Sequence, residues 1–324
     1  MNHGFWGKLA KPFSVLAPMA DVTDVPFRSI ISQCGRPDVF YTEFVSAHGL
    51  ASEGRARLMV DLALTEIDHP IVAQFFGTQP EHLFVAGKLA KELGFDGVDI
   101  NMGCPDRSIM KQGAGGALIK DPSRAVDLIQ ALRQGAGDLP VAVKTRLGVH
   151  ATSEMDAWIA TILSAKPDVL IVHGRTVKEM SKVPAHWDLI GRAGQMAHEI
   201  GVLCVGNGDV TSRTQGEALA QQYGIDGYMV GRGIFKNPWL FNPRINPETI
   251  TPRQRLELLL RHTEAWVKQW NGIKSFDLMK KFYKVYASGW PGAAQLRATL
   301  MEVRTPEQVR CSVLGYIRDY EQKI

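Results

Sequence analysis

The sequence predicts an α/β fold, a (β/α)8 TIM barrel followed by an all-helical C-terminal domain. Three observations predict it. Short apolar, β-branched runs recur along the first 233 residues. Segments of helical spacing lie between most of them. After a proline-rich break near residue 243 the pattern is helical to the end.

The runs are SVLAPMA (14–20), DVFYTEFV (38–45), PIVAQFFG (70–77), GVDINMG (97–103), PVAVKTRLG (140–148), DVLIVHGRT (168–176), GVLCVGNGD (201–209) and GYMVGRG (227–233). Continuous apolar character suits parallel strands covered on both faces. Between them, PEHLFVAGKLAKELG (80–94) places Leu83, Val85, Ala86, Leu89, Ala90 and Leu93 at helical intervals and stops at Gly94. DPSRAVDLIQALRQG (121–135) opens with Asp121 as N-cap and Pro122 at the first helical position. Strand and helix in alternation imply right-handed crossovers. A doubly wound sheet is the alternative, but it usually has fewer strands.

The barrel is expected over residues 1–242, a linker over 243–252 (Pro243, Pro247, Pro252) and a helical bundle over 253–324. Thr251 and Pro252 open a helix with Leu256, Leu259, Leu260, Thr263, Trp266, Val267 and Trp270 on one stripe. SFDLMKKFYKVYA (275–287) interleaves Lys280, Lys281 and Lys284 with Phe282, Tyr283 and Tyr286, and Thr305, Pro306 and Glu307 open the last helix.

Charge separates the two parts. The formal net is +4, yet residues 251–324 carry 13 Lys+Arg against 7 Asp+Glu, a local +6 that leaves −2 for the rest. That asymmetry points to a polyanionic partner for the helical part, or to a solvated helical surface. The four cysteines, Cys34, Cys104, Cys204 and Cys311, are far apart without a CxxC pair, so neither a disulfide framework nor a metal site is expected. MNHGFWGKLAKPF holds no signal-peptide run and no stretch reaches a membrane span, so a cytoplasmic chain without a membrane partner is expected.

Barrel chemistry sits at the C-terminal strand ends. There the sequence has Met19, Glu43, Gln74, Asn101, Lys144, His173, Arg175, Asn207, Asp209 and Arg232. GNGDV and VGRGIF, ending the seventh and eighth runs, let backbone amides approach a phosphate, with Arg232 as a charged donor. Lys144 and His173 can face an electron-rich ring, Gln74 can bond a ring edge in both senses, and Met19 offers a soft apolar rest. A ring ligand with a phosphate tail fits, FMN foremost; a sugar phosphate in a non-redox barrel is the other reading. Cys104 follows the fourth run and precedes a glycine-rich stretch. No base partner is close in sequence, so a general acid suits it better than a nucleophile. Gly113, Gly115 and Gly116 are expected to let that loop move and close.

These residues resemble the tRNA-dihydrouridine synthases. LAPMADVTDVPFR (16–28), DINMGCP with GAGGALIKDP, VKTRLG (143–148), HGRT (173–176), GNGD (206–209) and VGRG (230–233) follow that family's blocks in order, and MKKFYKVYASGWPGAAQLR (279–297) resembles its helical tRNA-binding domain more weakly. The resemblance implies FMN, NADPH as reductant, and reduction of the C5–C6 bond of particular tRNA uridines. Hydride would pass from flavin N5 to C6, and Cys104 would protonate C5. It further implies that Met19, Gln74, Lys144, His173, Asn207, Gly208, Gly231 and Arg232, with the adjacent Pro18 and Asp209, hold the flavin. Asn101 and Arg175 would lie near the substrate base, Lys280, Lys281 and Lys284 would meet tRNA, and a monomer would suffice. One segment departs from the family: VKEMSKVPAHWDLI (177–190) lacks the Gly-Tyr element that many members carry before the Trp. An FMN-dependent dehydrogenase of a free pyrimidine would share the barrel, the flavin and a loop cysteine, but would not need a basic helical tail.

Overall fold

The computed structural model describes residues 3–321, so Met1, Asn2 and residues 322–324 of the expected helical segment lie outside the described residues. The chain falls into two compact units, Met1–Thr23 with Pro37–Gly231, and Asp24–Arg36 with Arg232–Ile324.

The first unit holds eight parallel strands: β1 (Phe13–Leu16), β2 (Phe40–Ser46), β3 (Ile71–Phe76), β4 (Gly97–Met102), β5 (Val141–Arg146), β6 (Val169–His173), β7 (Leu203–Asn207) and β8 (Gly227–Val230). Their order is β1-β8-β7-β6-β5-β4-β3-β2, and a parallel bridge from Val15 to Val39, just ahead of β2, closes the ring. This is the expected (β/α)8 barrel. Each expected run contains its strand, apart from Phe13 and Ser46, because strands packed on both faces are apolar along most of their length. Val15, Val39, Val72, Ala142, Val169, Ile171, Val205 and Met229 fill the interior with Trp6 and Phe13. The helix Pro80–Glu92 starts on its proline, and Asp121 caps Pro122–Ala136 by accepting from Arg124 N–H at 3.2 Å.

A repeated device starts the strands. Just ahead of β2, β4, β6 and β8 stand Asp38, Asp96, Asp168 and Asp226. Each carboxylate accepts the backbone N–H of a residue at the start of the preceding strand: Ser14 (2.7 Å), Ile71 (2.7 Å), Val141 (2.9 Å) and Cys204 (2.7 Å). For the last three, the aspartate's own N–H donates back to that same residue's carbonyl. These reciprocal clips satisfy N–H groups that would otherwise be orphaned at the barrel's N-terminal end.

The second unit gathers Val25–Gly35, Pro252–Trp270, Ala293–Glu302 and Pro306–Glu321. It begins ahead of the 243–252 segment expected as a linker. Gly35 makes this possible, since a Cβ there would stand 2.6 Å from Asn242 N, and Asn242 Nδ2 donates to Cys34 O at 2.8 Å. Thr251 and Gln254 form a capping box on Pro252–Trp270. Phe27 stacks on Phe282 at 5.3 Å, and Trp270 Nε1 donates to Asp24 at 2.7 Å. Within the expected helical bundle, residues 275–287 form a 3-10 helix, Phe276–Phe282, running into the single α-turn Tyr283–Tyr286. Among the described residues no helix is long and apolar enough to cross a membrane.

Candidate active site

The C-terminal ends of β3 and β4 carry a buried polar chain. Strand register sets it, because Gln74 lies directly opposite Asp99. Gln74 Nε2 donates to Asp99 Oδ1 at 2.7 Å, and Asn101 Nδ2 donates to Gln74 Oε1 at 3.0 Å. Asn101 Oδ1 then accepts from Gly103 N–H at 3.1 Å and from Cys104 N–H at 2.9 Å. Tyr41 donates its hydroxyl to Asp99 Oδ2 at 3.4 Å. Gln74, Asp99 and Tyr41 are wholly enclosed, and Asn101 is 7% exposed.

Cys104 stands at the end of this chain, half-buried and free. Arg146 Nε donates to Gly103 O at 2.8 Å, so the peptide before the cysteine is gripped from both sides. The glycines supply close approach. Gly116 N–H donates to Cys104 O at 3.0 Å, and a Cβ on Gly116 would meet Val177 Cγ2 at 2.6 Å. Gly115, at φ +60°, would place a Cβ 3.0 Å from Cys104 O. The expected mobile loop is therefore packed at Gly115 and Gly116, both buried. Burial pushes the Cys104 thiol above its ordinary value; the Asp106 N–H and the charges of Lys144 and Arg146 pull it down without cancelling that.

Lys144 pairs in register with Asn101. Its ammonium is half-buried and has no hydrogen-bond or ion-pair partner among the described residues. Burial, and then the neighbouring Arg146, hold its pKa down, while Asp99 and Cys104 oppose them. Burial holds Asp99 up, against Gln74, Lys144 and Tyr41. A half-buried cation without a hydrogen-bond or ion-pair partner among the described residues fits an electron-rich or anionic ligand.

At β6 to β8, Asn207 Nδ2 donates to Met229 O at 2.9 Å, and Trp187 Nε1 donates to Gly208 O at 3.1 Å. Gly208, at φ +142°, would drive a Cβ to 2.6 Å from Ala185 Cβ, whereas a Cβ on Gly231 would meet nothing nearer than Ala17 Cβ at 3.8 Å. Open space at Gly231 suits a ligand approaching backbone. Half-buried Met19 sits on a turn, its N–H donating to Thr23 Oγ1 at 3.1 Å, beside half-buried Pro18.

A family model described as dihydrouridine synthase matches residues 15–320. The chain belongs to the dihydrouridine synthase family. It is 40% identical over 314 residues to a "Probable tRNA-dihydrouridine synthase" of Staphylococcus aureus (strain N315), spanning 96% of this chain and 94% of that one. It is 40% identical over 326 residues to a "Probable tRNA-dihydrouridine synthase 2" of Bacillus subtilis (strain 168), spanning 99% and 98%. Among solved structures, a 2-naphthoyl-CoA reductase complex superposes with TM-score 0.55 at 12% identity, over 70% of this chain and 49% of that one. Morphinone reductase in complex with tetrahydroNAD gives 0.51 at 13%, over 74% and 87%. At those identities the likeness is one of fold. Dihydrouridine synthases are flavin-dependent oxidoreductases, and this chain is an oxidoreductase that uses a flavin. The unpartnered Lys144, the open face of Gly231 and half-exposed Met19 fit such a ring.

Measured against the family expectation, several side chains point elsewhere. Gln74 is fully buried, both ends of its amide held by Asp99 and Asn101. Asn101 spends its amide on Gln74 and the Cys104 loop. Arg175, 3% exposed, donates to Val183 O at 2.6 Å and to Asp209, and lies 3.2 Å from His173 Nε2. Arg175 and Asp209 thus fasten the loop after β6, where Asp209 also accepts from Ala185 N–H at 2.9 Å. Arg232 opens the second unit and is exposed, immediately following Gly231.

In the second unit, Lys281 and Lys284 are exposed, while Lys280 pairs with Asp277 at 2.7 Å. Phe282, Tyr283 and Tyr286 are core, so the aromatics interleaved with lysines in the sequence do not share their surface. Asp99, Tyr41 and Arg146 were not singled out from the sequence. A charged residue inside an apolar strand run was the available signal for Asp99 and Arg146.

Proposed function

We propose that this chain reduces the C5–C6 bond of particular uridines in tRNA to 5,6-dihydrouridine, with FMN as its flavin and NADPH as reductant. The observation that carries the reading is Cys104: a thiol that burial keeps protonated, on a braced loop at the C-terminal end of β4, with the Lys144 ammonium contributing to its field. The relatives' names supply the substrate. A bound, reduced flavin supplies hydride at uracil C6. Cys104 delivers its proton to C5, and the charges of Lys144 and Arg146 stabilise the thiolate left behind. Met19, Pro18, Lys144, His173, Asn207, Gly208 and Gly231 form the flavin seat, with Arg232 next in sequence for its phosphate. Lys281 and Lys284 lie on the basic 251–324 segment that meets the tRNA backbone, giving salt-dependent affinity. The target base leaves its stack to react. The chain works as a monomer in the cytoplasm, where tRNA is its substrate.

The test joins a spectrum to a product. Purified protein should show flavin bands that bleach with NADPH and should form dihydrouridine in tRNA lacking it. Cys104→Ala should keep the bands and lose roughly 10²–10⁴-fold of product formation. Full turnover by that variant removes the proton donor. Equal turnover of free uracil moves the substrate from tRNA to a free pyrimidine.

A further inference from the structure

We infer that Asp99 is a positioning residue for Cys104, acting through the side-chain amides of Gln74 and Asn101. Its bearing on turnover rests on the reading of Cys104 as proton donor; its effect on the thiol does not.

A side-chain amide has a donor end and an acceptor end of nearly the same shape, so packing alone does not set which way it points. A carboxylate oxygen that carries no proton has no such ambiguity, because it only accepts, and Asp99 Oδ1 faces the Gln74 amide in that role. Asp99 Oδ1 takes Gln74 Nε2 at 2.7 Å, which leaves Gln74 Oε1 at the far end. That oxygen takes Asn101 Nδ2 at 3.0 Å, which turns Asn101 Oδ1 toward the loop. The loop presents two donors there, Gly103 N–H and Cys104 N–H, at 3.1 and 2.9 Å. Were Asn101 reversed, its NH2 would face both N–H groups and three buried donors would lack acceptors. The carboxylate and the two backbone N–H groups therefore set the same polarity from opposite ends of the chain. Nothing along the path is loose: Gln74 and Asp99 are fully enclosed, and Arg146 holds Gly103 O from the opposite side at 2.8 Å. Tyr41 donates its hydroxyl to the other carboxylate oxygen, Asp99 Oδ2.

The experiment reads the thiol directly. In a Cys311→Ser background, with Cys34 and Cys204 buried, Cys104 is the cysteine open to iodoacetamide. Asp99→Asn keeps the shape but removes the acceptor-only anchor, leaving the loop N–H groups alone to set the direction. In the flavin-loaded protein its Cys104 alkylation rate should rise several-fold, and dihydrouridine formation should fall at least about tenfold, with the flavin bands retained. Two rescues separate polarity from bulk structure. In Asp99→Asn/Gln74→Glu the carboxylate moves to position 74, accepts from both neighbouring amides, and again turns Asn101 Oδ1 to the loop. In Asp99→Asn/Asn101→Asp the carboxylate sits at the loop itself. Both should return the alkylation rate to near the parent value. An unchanged rate in Asp99→Asn, or no recovery in either double variant, overturns the inference. If Asp99→Asn does not fold, the double variants decide alone: parent-like alkylation supports the relay, and altered alkylation in both refutes it. Should Cys104→Ala retain turnover, the proton-donor reading fails, while the alkylation series still decides the positioning.

Discussion

The two ends of the barrel use aspartate in opposite ways. At the N-terminal end, burial raises the Asp226 carboxyl, but Lys11, the Cys204 N–H and His198 outweigh it and hold the group below its ordinary range. At the C-terminal end, burial lifts Asp99, and Gln74, Lys144 and Tyr41 do not offset it. Asp226 is satisfied by backbone and cations at once: it accepts from Cys204 N–H at 2.7 Å and lies 2.6 Å from Lys11 Nζ and 2.8 Å from His198 Nε2. Among the described residues, the donors in direct contact with Asp99 are the neutral Tyr41 hydroxyl and Gln74 amide. One end is built so that ionisation stabilises the fold, while the other holds charge at a cost and passes its orientation to a reacting group.

The sharpest way to break this contrast is at Lys144. Lys144→Met keeps a side chain of similar length and removes a half-buried cation that has no hydrogen-bond or ion-pair partner among the described residues. Dihydrouridine formation should fall roughly 10²–10³-fold, the range for losing one electrostatic contact to the reacting charge. The melting temperature at pH 6 should not fall, because burial disfavours that ammonium in the folded state. A clear drop in melting temperature, with activity preserved, would make Lys144 a structural residue and erase the difference between the ends.

Asp226→Asn makes the converse test. It removes a charge-assisted acceptor from a nearly buried backbone N–H and leaves Lys11 and His198 without their carboxylate. Unfolding should become easier by about 2 kcal/mol. Cys104 alkylation and the flavin bands should match the parent below the melting transition. Slowed turnover in a fully folded sample would show that the N-terminal clips also tune the chemistry.

Much of this was legible in the sequence, and what was not shares one cause. The strand runs could be read because a strand covered on both faces is apolar in every position. Cys104, Lys144 and Met19 could be placed because they end such runs. The clips could not, since the partner of Asp226 lies 22 residues away and that of Asp168 lies 27. Whether Gln74 shows its amide to a ligand or to Asp99 depends on cross-strand register, which periodicity does not reveal. The same holds over 275–287. The 3-10 helix and the α-turn after it send Lys281 and Lys284 outward while Phe282 and Tyr286 turn in, so neighbours in sequence part company in space.

The glycine-rich stretch, expected to move and found packed, yields the smallest and most discriminating change. Gly116 lies beneath Val177, and an added methyl would stand 2.6 Å from Val177 Cγ2 and 3.2 Å from Cys104 O. Valine has no flexible end to swing aside, so Gly116→Ala should cost about 1 kcal/mol of stability and shift the Cys104 loop. Turnover should drop several-fold, less than for Lys144→Met. Adding Val177→Ala should relieve the clash and restore most of both. If the loop instead works by opening and closing on glycine hinges, Gly116→Ala would slow turnover and Val177→Ala would not restore it, because a relieved contact does not return backbone freedom.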